Sequence, residues 1–315
     1  MNLIYIYLGY IVDLIVGDPY SFPHPVKYIG KLIKVLENFV RRVFKTDEDL
    51  KKGGFILCIV TVLTTYVVTY LIVRLFKFNS VSYILINGII IYTTFATKCL
   101  KDEAVKVYDV LKTGDIEKSR IQLSYIVGRD TTNLSEKEII RATVETVAEN
   151  TVDGIMSPMF YAFIGGAPLA MAYKAVNTLD STVGYKNEKY INLGFASAKL
   201  DDIANYIPAR LSVLFIPIAS FILGYNLKDS FKIGIRDRKN HKSPNCAFSE
   251  GAVAGALGVQ LGGTNVYFGK EVYKPTIGDK LYEIEEKNIV DTNKIMYMSS
   301  FVSLLAFTGI YILIN

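Results

Sequence analysis

The sequence has little that could form a disulfide framework or a zinc site. It contains three cysteines, Cys58, Cys99 and Cys246, which lie far apart in the chain, and two histidines. Disulfide frameworks and zinc sites need such residues at closer, repeated spacings, so we interpret the cysteines as packing residues. The sequence also lacks a dense basic patch with interleaved aromatic residues, and nucleic acid is therefore not an expected partner.

Charged residues are absent from four long stretches. Each is close to the roughly 20 residues with which a helix crosses a hydrocarbon core of about 30 Å. The stretches are 55–73, 79–97, 154–173 and 295–315. Two other runs, 1–16 and 211–227, are shorter, and the first contains one aspartate. With a mean hydropathy of +0.29, this pattern predicts an all-α, polytopic integral membrane protein. We expect about four to six transmembrane or re-entrant helices with cytoplasmic helical segments. The alternative is a large soluble protein with buried helices.

The apolar run at the N-terminus is not typical of a removable signal peptide. No Lys or Arg precedes it, and no small-residue cleavage site follows it. The chain also has no internal repeat, low-complexity tract or linker, which predicts a single domain over 1–315.

The basic residues predict which segments face the cytoplasm. Segment 27–52 holds eight Lys or Arg and segment 98–153 holds nine, whereas the connector 74–78 holds two. Segment 228–242 holds six more. Because cytoplasmic loops carry an excess of Lys and Arg, we expect the three richer segments in the cytoplasm. This places the protein in the cytoplasmic membrane with its active site facing the cytoplasm.

Two of the apolar runs are interrupted near their middle. Run 154–173 contains the sequence GGAP at 165–168, and run 211–227 contains Pro217. Breaks of this kind leave backbone N–H and C=O groups without helical hydrogen-bond partners. At membrane depth such groups must be buried in protein or line a cavity. We expect both runs to enter the membrane and return, which leaves 174–210 cytoplasmic. Simple crossings are the alternative and would place that segment outside.

A polar helix is predicted just before the run 154–173. Residues 135–138 read SEKE, a capping box that opens a helix reaching about Asn150. Arg141, Glu145 and Glu149 recur every four residues and so share one face. For Arg141 and Glu145 the alternative is an exposed salt-bridged stripe. Glu149 lies at the mouth of an apolar run, which favours a cation site or proton transfer.

Two further clusters mix carboxylates, amides and cations. Lys174, Asn177 and Asp180 are three apart and share a helical face. The second cluster consists of Lys199, Asp201, Asp202, Asn205 and Arg210. It overlaps a predicted helix over 192–205. Carboxylate and amide oxygens are hard ligands that suit Mg²⁺. Each cluster alone is typical of a solvated connector, but together with Glu149 they predict a phosphate and metal site.

Other segments are weaker candidates. The sequence GDP at 17–19, followed by His24, predicts a rigid turn, in which the histidine is an acid/base group or, preferably, a hydrogen-bonded turn residue. Asn245 and Glu250 are expected ligand contacts. They precede or begin the stretch 251–269, whose small side chains predict close helix packing or a loop that approaches a ligand.

Four strings of the sequence resemble a known family. They read GDPYSFPHPVKYIGKLI, GRDTTNLSEKEIIRATVETVAENTVDGIMSPMFYAFIGGAPLAMAYKAVNTLDSTVGY, FASAKLDDIANYIPARL and PNCAFSEGAVAGALGVQLGGTNVYFGKEVYKPTIGD. In this order they resemble the membrane-bound adenosylcobinamide-phosphate synthase family of cobalamin biosynthesis, CbiB/CobD. Nearly the whole chain is covered by the resemblance.

The resemblance implies an amide ligation that depends on ATP and Mg²⁺. A corrinoid, adenosylcobyric acid, would be joined to (R)-1-amino-2-propanol or its O-phosphate. Activation of the carboxylate as an acyl phosphate needs cations and metal around the transferring phosphoryl group, and the amine needs a general base. The predicted metal ligands are Asp153, Asp180, Asp201 and Asp202. The predicted phosphate or substrate contacts are Arg129, Asn150, Asn177, Asn205, Arg210, Asn245 and Glu250. The predicted catalytic residues are Glu149 as base, with Lys174 and Lys199 facing phosphates.

Two other functions compete with this interpretation. A non-enzymatic membrane sensor has no need of the acidic strings, and a transporter would be expected to show repeated halves and more intramembrane carboxylates. The expected partners of the enzyme are membrane lipid, the corrinoid and the amino alcohol phosphate. A second copy of the chain and other late cobalamin-pathway membrane enzymes are its candidate protein partners.

Overall fold

The computed structural model describes residues 3–19, 21, 23–267 and 269–314, and it is 73% helical. The helices are α1 (Ile4–Val16), α2 (Pro25–Val43), α3 (Asp47–Leu75), α4 (Ser80–Tyr92), α5 (Thr97–Leu111), α6 (Ile116–Ser124), α7 (Glu136–Thr151), α8 (Ser157–Val183), α9 (Phe195–Ala204), α10 (Tyr206–Ile222), α11 (Leu227–Arg236), α12 (Cys246–Leu257) and α13 (Lys287–Ile314). The strands are β1 (Leu261–Tyr267) and β2 (Lys270–Ile277). A π-helical turn, Val152–Met156, follows α7. The predicted helical class is confirmed.

Several helices are suited to a membrane. Within the described residues, four stretches are long and apolar enough to cross one, and α9 with α10 makes a fifth if the pair forms one span. The four are Asp47–Leu75, Ser80–Leu111, Glu136–Val183 and Lys287–Ile314. Each contains one of the predicted charge-free runs, or all of the run except one terminal residue. The predicted membrane protein with about four to six spans is thus confirmed.

Helix α3 shows how the sequence sets a span. The Thr46 hydroxyl caps its N-terminus by accepting the Asp49 N–H at 3.2 Å, and acidic residues of the first turn complement the helix dipole. Further along, the hydroxyls of Thr61, Thr65 and Thr69 are buried and each donates to the carbonyl four residues earlier. The polar atoms of this apolar helix are therefore satisfied within the helix itself, as lipid surroundings require.

The helices form two compact units, each assembled from segments that are distant in sequence. The first unit holds α1–α4, α8, α9 and the last residues of α13. The second holds α5–α7, the π-helical turn, α10–α12, both strands and the rest of α13. The expectation of one domain over 1–315 concerns independent folding and stays a prediction.

The core of the first unit lies between α2, α3 and α8. Ile33 of α2, Leu57 of α3 and Leu179 of α8 are fully buried in one cluster. Leu193, which precedes α9, joins the same cluster. The residues that α8 contributes to this core run from Met171 to Val183, so the core holds the C-terminal half of α8, which carries the polar face.

The two predicted breaks have different outcomes. Helix α8 is interrupted at Gly165 and Gly166, where Gly166 has a φ of 64°, a conformation that favours glycine. The predicted break at Pro217 is wrong, because α10 continues through that residue. One proline removes one helical hydrogen bond, and the packing of α10 against α11 and α12 outweighs this loss. The chain instead breaks at Asn205, where α9 ends; the predicted helix over 192–205 is confirmed from residue 195.

The small-residue stretch 251–269 divides into a helix and a strand. In α12, a side chain at Gly251 would contact the backbone of Gly234 in α11 at 3.1 Å, so the predicted close packing is confirmed here. The second part forms β1, which pairs antiparallel with β2. This hairpin was not predicted. Its register shifts by one residue between Leu261 and Gly263, which marks a β-bulge.

Candidate active site

The predicted site residues divide between the two units. Those of the second unit are Arg129, Glu149, Asn150, Asp153, Arg210, Asn245 and Glu250. Those of the first unit are Lys174, Asn177, Asp180, Lys199, Asp201, Asp202 and Asn205. Each group is described within its own unit.

A buried carboxylate, Glu145, lies at the centre of the second unit. Its Oε2 accepts from Nη2 of Arg129 at 2.6 Å, and its Oε1 accepts from the backbone N–H of Gly262 at 2.8 Å. The side chains of Glu145 and Arg129 are only 4% and 7% exposed. The alternative of an exposed salt-bridged stripe on α7 is therefore wrong for Glu145, because α7 turns this face towards the β-hairpin.

Arg129 is committed to protein contacts. Besides Glu145, it donates through Nη1 to Oδ1 of Asn265 in β1 at 2.5 Å. The Asn265 amide in turn donates to the carbonyl of Gly263 at 3.1 Å. The phosphate contact predicted for Arg129 stays a prediction, and in the structure the buried guanidinium neutralises a buried carboxylate.

The bulge of the hairpin aims a backbone donor at Glu145. Gly262 and Gly263 have φ values of 80° and 89°, which only glycine adopts without strain. A Cβ at Gly262 would lie 2.5 Å from the carbonyl oxygen of Pro275 on β2. The paired glycines thus allow the strand to turn its N–H away from the ladder and towards the carboxylate.

One helical turn beyond Glu145, Glu149 meets the start of α12. Its Oε1 accepts a hydrogen bond from the thiol of Cys246 at 2.9 Å. Cys246 is buried, and its pKa is raised well above the usual value by that burial and by Glu149, Asp153 and Glu250. The thiol is therefore a hydrogen-bond donor, and three predicted site carboxylates surround it. Asp153 belongs to the π-helical turn, a feature that often occurs at functional sites.

Glu250 lies one turn into α12 and is also buried, at 3% exposure. Burial and the nearby charges of Glu145 and Glu149 raise its pKa to about 8, while Lys274 and Arg129 act in the opposite direction. A carboxyl group with this pKa holds its proton at neutral pH for most of the time. The site therefore combines a protonated carboxyl group with ionisable neighbours.

His241 links this acidic neighbourhood to the loop that follows α11. Its Nδ1 accepts the backbone N–H of Ser243 at 3.0 Å, and its Nε2 lies 3.0 Å from Nζ of Lys274. Burial, followed by the charge of Lys274, lowers the pKa of the ring. The ring is therefore neutral near pH 7. The two ring nitrogens thus face different groups, the backbone N–H of Ser243 and the amine of Lys274, and the tautomer of the ring sets which atom donates between Nε2 and Nζ.

Arg210 and Asn245 meet near the N-terminus of α12. The Arg210 guanidinium lies 3.3 Å from the ring centroid of Tyr206 and 4.9 Å from that of Phe248. Its Nη1 donates to the Tyr206 carbonyl at 2.6 Å and is 3.4 Å from Oδ1 of Asn245. Stacking between two rings holds a guanidinium in place while its remaining N–H groups stay available.

The side chain of Asn150, a predicted site residue, forms a hydrogen bond within its own helix. Its Nδ2 donates to the carbonyl of Thr146 at 2.9 Å, and the side chain is half-buried. The bond satisfies one of its donors, so a ligand contact by this residue stays a prediction.

In the first unit, Asn205 anchors a buried polar network. Its Oδ1 accepts from Ser157 Oγ at 2.6 Å and from Tyr173 Oη at 2.8 Å. Its Nδ2 donates to Oδ2 of Asp201 at 3.0 Å. The substrate contact predicted for Asn205 stays a prediction, and in the structure protein groups use both ends of the amide. The residue stabilises the break after α9.

The remaining residues of the first unit lie at its surface. Lys174, Asn177 and Asp180 are half-buried on one face of α8, as their spacing predicts. Lys199 pairs with Asp202 at 3.1 Å, an exposed contact of the kind that contributes little to stability.

The family described as CobD/Cbib protein matches residues 6–296. The chain belongs to this family. A relative from Clostridium perfringens, named cobalamin biosynthesis protein CobD, is 55% identical over 304 residues, which cover 96% of each chain. A relative of the same name from Clostridium tetani is 53% identical over 299 residues, which cover 95% of this chain and 94% of the relative.

A third relative carries the family's other name. Cobalamin biosynthesis protein CbiB from Salmonella choleraesuis is 48% identical over 304 residues, which cover 95% of this chain and 94% of the relative. No solved structure matches the chain. Membership of the CobD/CbiB family supports a role in cobalamin biosynthesis.

The predicted metal ligands of this family member divide between the two units. Asp153 is in the second unit, whereas Asp180, Asp201 and Asp202 are in the first. In the part of the chain that the structure describes, no three or more His, Cys, Asp or Glu side chains are grouped to hold a metal ion. The donor set therefore does not fit a resident metal held by protein groups alone.

Sequence reasoning missed several residues of the acidic site. Cys246 was interpreted as a packing residue, and His241, Lys274 and Asn265 were not singled out. Lys274 and Asn265 belong to the unpredicted hairpin. No spacing in the sequence relates these residues to α7, so no local signal was available to find them.

Proposed function

We propose that this CobD/CbiB family member is an amide ligase. It joins the carboxylate of adenosylcobyric acid to (R)-1-amino-2-propanol or its O-phosphate and consumes ATP as its Mg²⁺ complex. The observation that carries the proposal is the group formed by the buried Glu145 and Glu250 and the half-buried Glu149, with the cations Arg129 and Lys274 nearby. Such a group places Glu250, whose pKa is raised to about 8, beside a second carboxyl group that can act as a base, and amide formation requires proton transfer of this kind.

The reaction has two steps. A carboxylate oxygen of the corrinoid attacks the terminal phosphorus of ATP, which forms an acyl phosphate and releases ADP. The amine nitrogen then attacks the acyl carbon, the C–O bond to phosphate breaks, and inorganic phosphate leaves. One proton of the amine must be removed, because the amide nitrogen carries one fewer proton than the amine.

Glu149 is our choice for the base that takes this proton. The Cys246 thiol orients the carboxylate through Oε1, which leaves Oε2 to accept the proton. Glu250, with its raised pKa, is protonated next to it and keeps the summed negative charge low. Burial of these groups also excludes water, and this protects an acyl phosphate from hydrolysis.

Mg²⁺ enters the proposal as part of the nucleotide substrate. A nucleotide-bound Mg²⁺ needs only one or two protein carboxylates, because phosphates and waters supply its other ligands. Asp153 would contribute such a carboxylate in the second unit, and Asp180, Asp201 and Asp202 in the first. When bound, the ion would neutralise charge on the transferring phosphoryl group. Lys174 and Lys199 remain proposed phosphate contacts.

The reaction itself tests the proposal. Purified protein in lipid nanodiscs is incubated with adenosylcobyric acid, either amine, ATP and Mg²⁺, and the corrinoid product and ADP are quantified. We expect one ADP for each amide formed and no product when ATP, Mg²⁺ or the amine is left out. A sensor or transporter would give no turnover with either amine, and that result would defeat the proposal.

We also propose that the site faces the cytoplasm in the cytoplasmic membrane. The Lys/Arg distribution supports this orientation. A cysteine at the exposed position Lys189 should react with an impermeant maleimide only in inside-out vesicles. A cysteine at Lys77, in the connector expected outside, should react only in right-side-out vesicles. The reverse pattern would refute the orientation.

A further inference from the structure

A basic groove lies in the second unit between the loop after α11 and the first turn of α12. Its volume is about 330 Å³. The side chains that define it are Arg210, Arg238, Lys239, His241, Lys242 and Phe248. We call it the basic groove. None of its lining residues is acidic.

Among the residues that the structure describes, the cations of the groove have no carboxylate partners. Over the described ranges, Arg210, Arg238, Lys239 and Lys242 each lack an ion pair. Some neighbouring cations are paired: Arg236, for example, contacts Asp237 at 2.7 Å and Asp279 at 2.9 Å. Four uncompensated positive charges around one concavity attract a multiply charged anion.

The groove is organised before any ligand binds. Arg210 is held between Tyr206 and Phe248, and the Arg238 Nη1 donates to the Ile235 carbonyl at 2.5 Å. Each guanidinium therefore has a defined direction and several unused N–H donors, which match the oxygens of phosphate. The N-terminus of α12 begins at Cys246 beside the groove and adds its own positive end.

One residue connects the groove to the acidic site. His241 lines the groove and also lies 3.0 Å from Lys274, whose charge acts on Glu250. An anion in the groove is thus next to His241, which contacts the lysine whose charge acts on Glu250. This arrangement suits a ligand that has two parts, a charged part that binds in the groove and a second part that reacts at the acidic site.

We propose that the basic groove binds the polyphosphate of a nucleoside triphosphate. Four unpaired cations match the charge of a polyphosphate better than that of a phosphate monoester. This assignment rests on the proposed function in one respect, which is that the bound nucleotide is a co-substrate of the ligase. The groove's affinity for polyphosphate is independent of turnover.

Binding measurements test the assignment without turnover. ATP affinity is measured by titration calorimetry on the full-length protein in nanodiscs of phosphatidylcholine, with corrinoid and amine left out. We expect Arg238→Gln and Lys242→Gln each to weaken ATP binding about tenfold, and the double variant about a hundredfold. Arg238→Lys should recover part of the affinity. Lys228→Gln and Lys232→Gln remove the same charge from exposed positions of α11 outside the groove and should change affinity less than about twofold.

Two further titrations distinguish other sources of phosphate. If the groove variants weaken binding of the amino alcohol O-phosphate but not of ATP, the polyphosphate assignment is overturned. The same conclusion follows if they alter only the response to phosphatidylglycerol in the nanodisc, which would indicate a lipid headgroup. Unchanged binding of all three probes also overturns it, and equal melting temperatures confirm that the variants are folded.

The outcome is separable from that of the proposed function. If wild-type protein binds ATP through the groove but forms no amide, the ligase proposal fails and the groove assignment stands. If amide forms and the groove variants keep the wild-type KM for ATP, the ligase stands and the groove assignment fails.

Discussion

The thiol of Cys246 donates a hydrogen bond to Oε1 of Glu149 at 2.9 Å, although the two residues are 97 positions apart in the chain. The contact joins the C-terminal part of α7 to the first residue of α12. It converts an apparently inert cysteine into a group that orients a carboxylate. Since the raised pKa of Cys246 keeps the thiol protonated, its contribution is a fixed donor.

Loss of the Glu149 carboxylate should abolish the proposed chemistry and leave the fold intact. Glu149→Gln keeps the size of the side chain but cannot accept a proton from the amine. We expect the rate of amide formation to fall by about 10² to 10⁴, with little change in melting temperature. Glu136→Gln, at an exposed position of the same helix, is the matched control and should keep the wild-type rate. A Glu149→Gln variant with full activity would remove Glu149 as the base.

Arg129 should contribute to stability through its buried pair with Glu145. Arg129→Gln leaves the Glu145 carboxylate buried and uncompensated, so the free energy of unfolding should fall by about 3–5 kcal/mol. The double variant Arg129→Gln with Glu145→Gln should recover part of this loss. Lys280→Gln breaks a pair with Glu283 that is more than half exposed on the lysine side and should cost less than about 1 kcal/mol. Denaturant titrations in detergent measure these free energies of unfolding. A small loss for Arg129→Gln would show that the pair is unimportant for stability.

Glu250 should make stability fall as pH rises. Burial raises its pKa from 4.5 to about 8, so between these values the folded chain keeps a proton that the unfolded chain has lost. The free energy of unfolding therefore declines across this window, by at most about 1.4 kcal/mol per pH unit. Glu250→Gln removes this contribution. The melting temperature of the variant relative to that of the wild type should therefore increase from pH 5.5 to pH 8.

A surface glutamate provides the control for that pH series. The pKa of Glu283 is lowered to about 2 by contacts with Lys137 and Lys280. Its contribution to the free energy of unfolding therefore no longer changes with pH above pH 4.5. The difference between Glu283→Gln and the wild type should therefore stay constant from pH 5.5 to 8. A constant difference for Glu250→Gln as well would contradict the raised pKa.

The bulge glycine should tolerate no side chain. Gly262→Ala places a Cβ 2.5 Å from the Pro275 carbonyl at a φ of 80° and disturbs the hydrogen bond to Glu145. We expect a loss of about 2–4 kcal/mol in the free energy of unfolding, the sum of backbone strain and a weakened buried hydrogen bond. Gly269→Ala shares the positive φ but has open space around it, so it should cost about 1 kcal/mol. Equal losses for both would show that only the φ matters.

The residues of α7 show how far sequence reasoning reaches. The SEKE capping box and the four-residue spacing of Arg141, Glu145 and Glu149 predicted the helix and the shared face, since both depend on neighbours within one or two turns. The sequence could not show that Glu145 is buried. That burial depends on the hairpin, whose Gly262 lies 117 positions away and whose strands follow no clear alternating pattern.

Pro217 and Asn205 illustrate the same limit. A proline in an apolar run favours a break, but the packing of α10 against α11 and α12 keeps the helix continuous there. Asn205 has the composition of a ligand residue, yet Ser157 and Tyr173 bring hydroxyls to its amide. Residue type indicates which contacts are chemically possible, and packing decides which partner makes them.

The sequence by itself determined the membrane class, the principal helices and the family. Hydrocarbon thickness demands long apolar runs, and helix caps act over a few residues, so both are visible locally. Only the tertiary structure decided which acidic residues meet. It gathered Glu145, Glu149 and Glu250 around Cys246 and the hairpin, and it placed other predicted carboxylates in a separate unit. The physical reason is that burial and charge interactions, which set the pKa of Glu250, arise between segments whose approach no local pattern encodes.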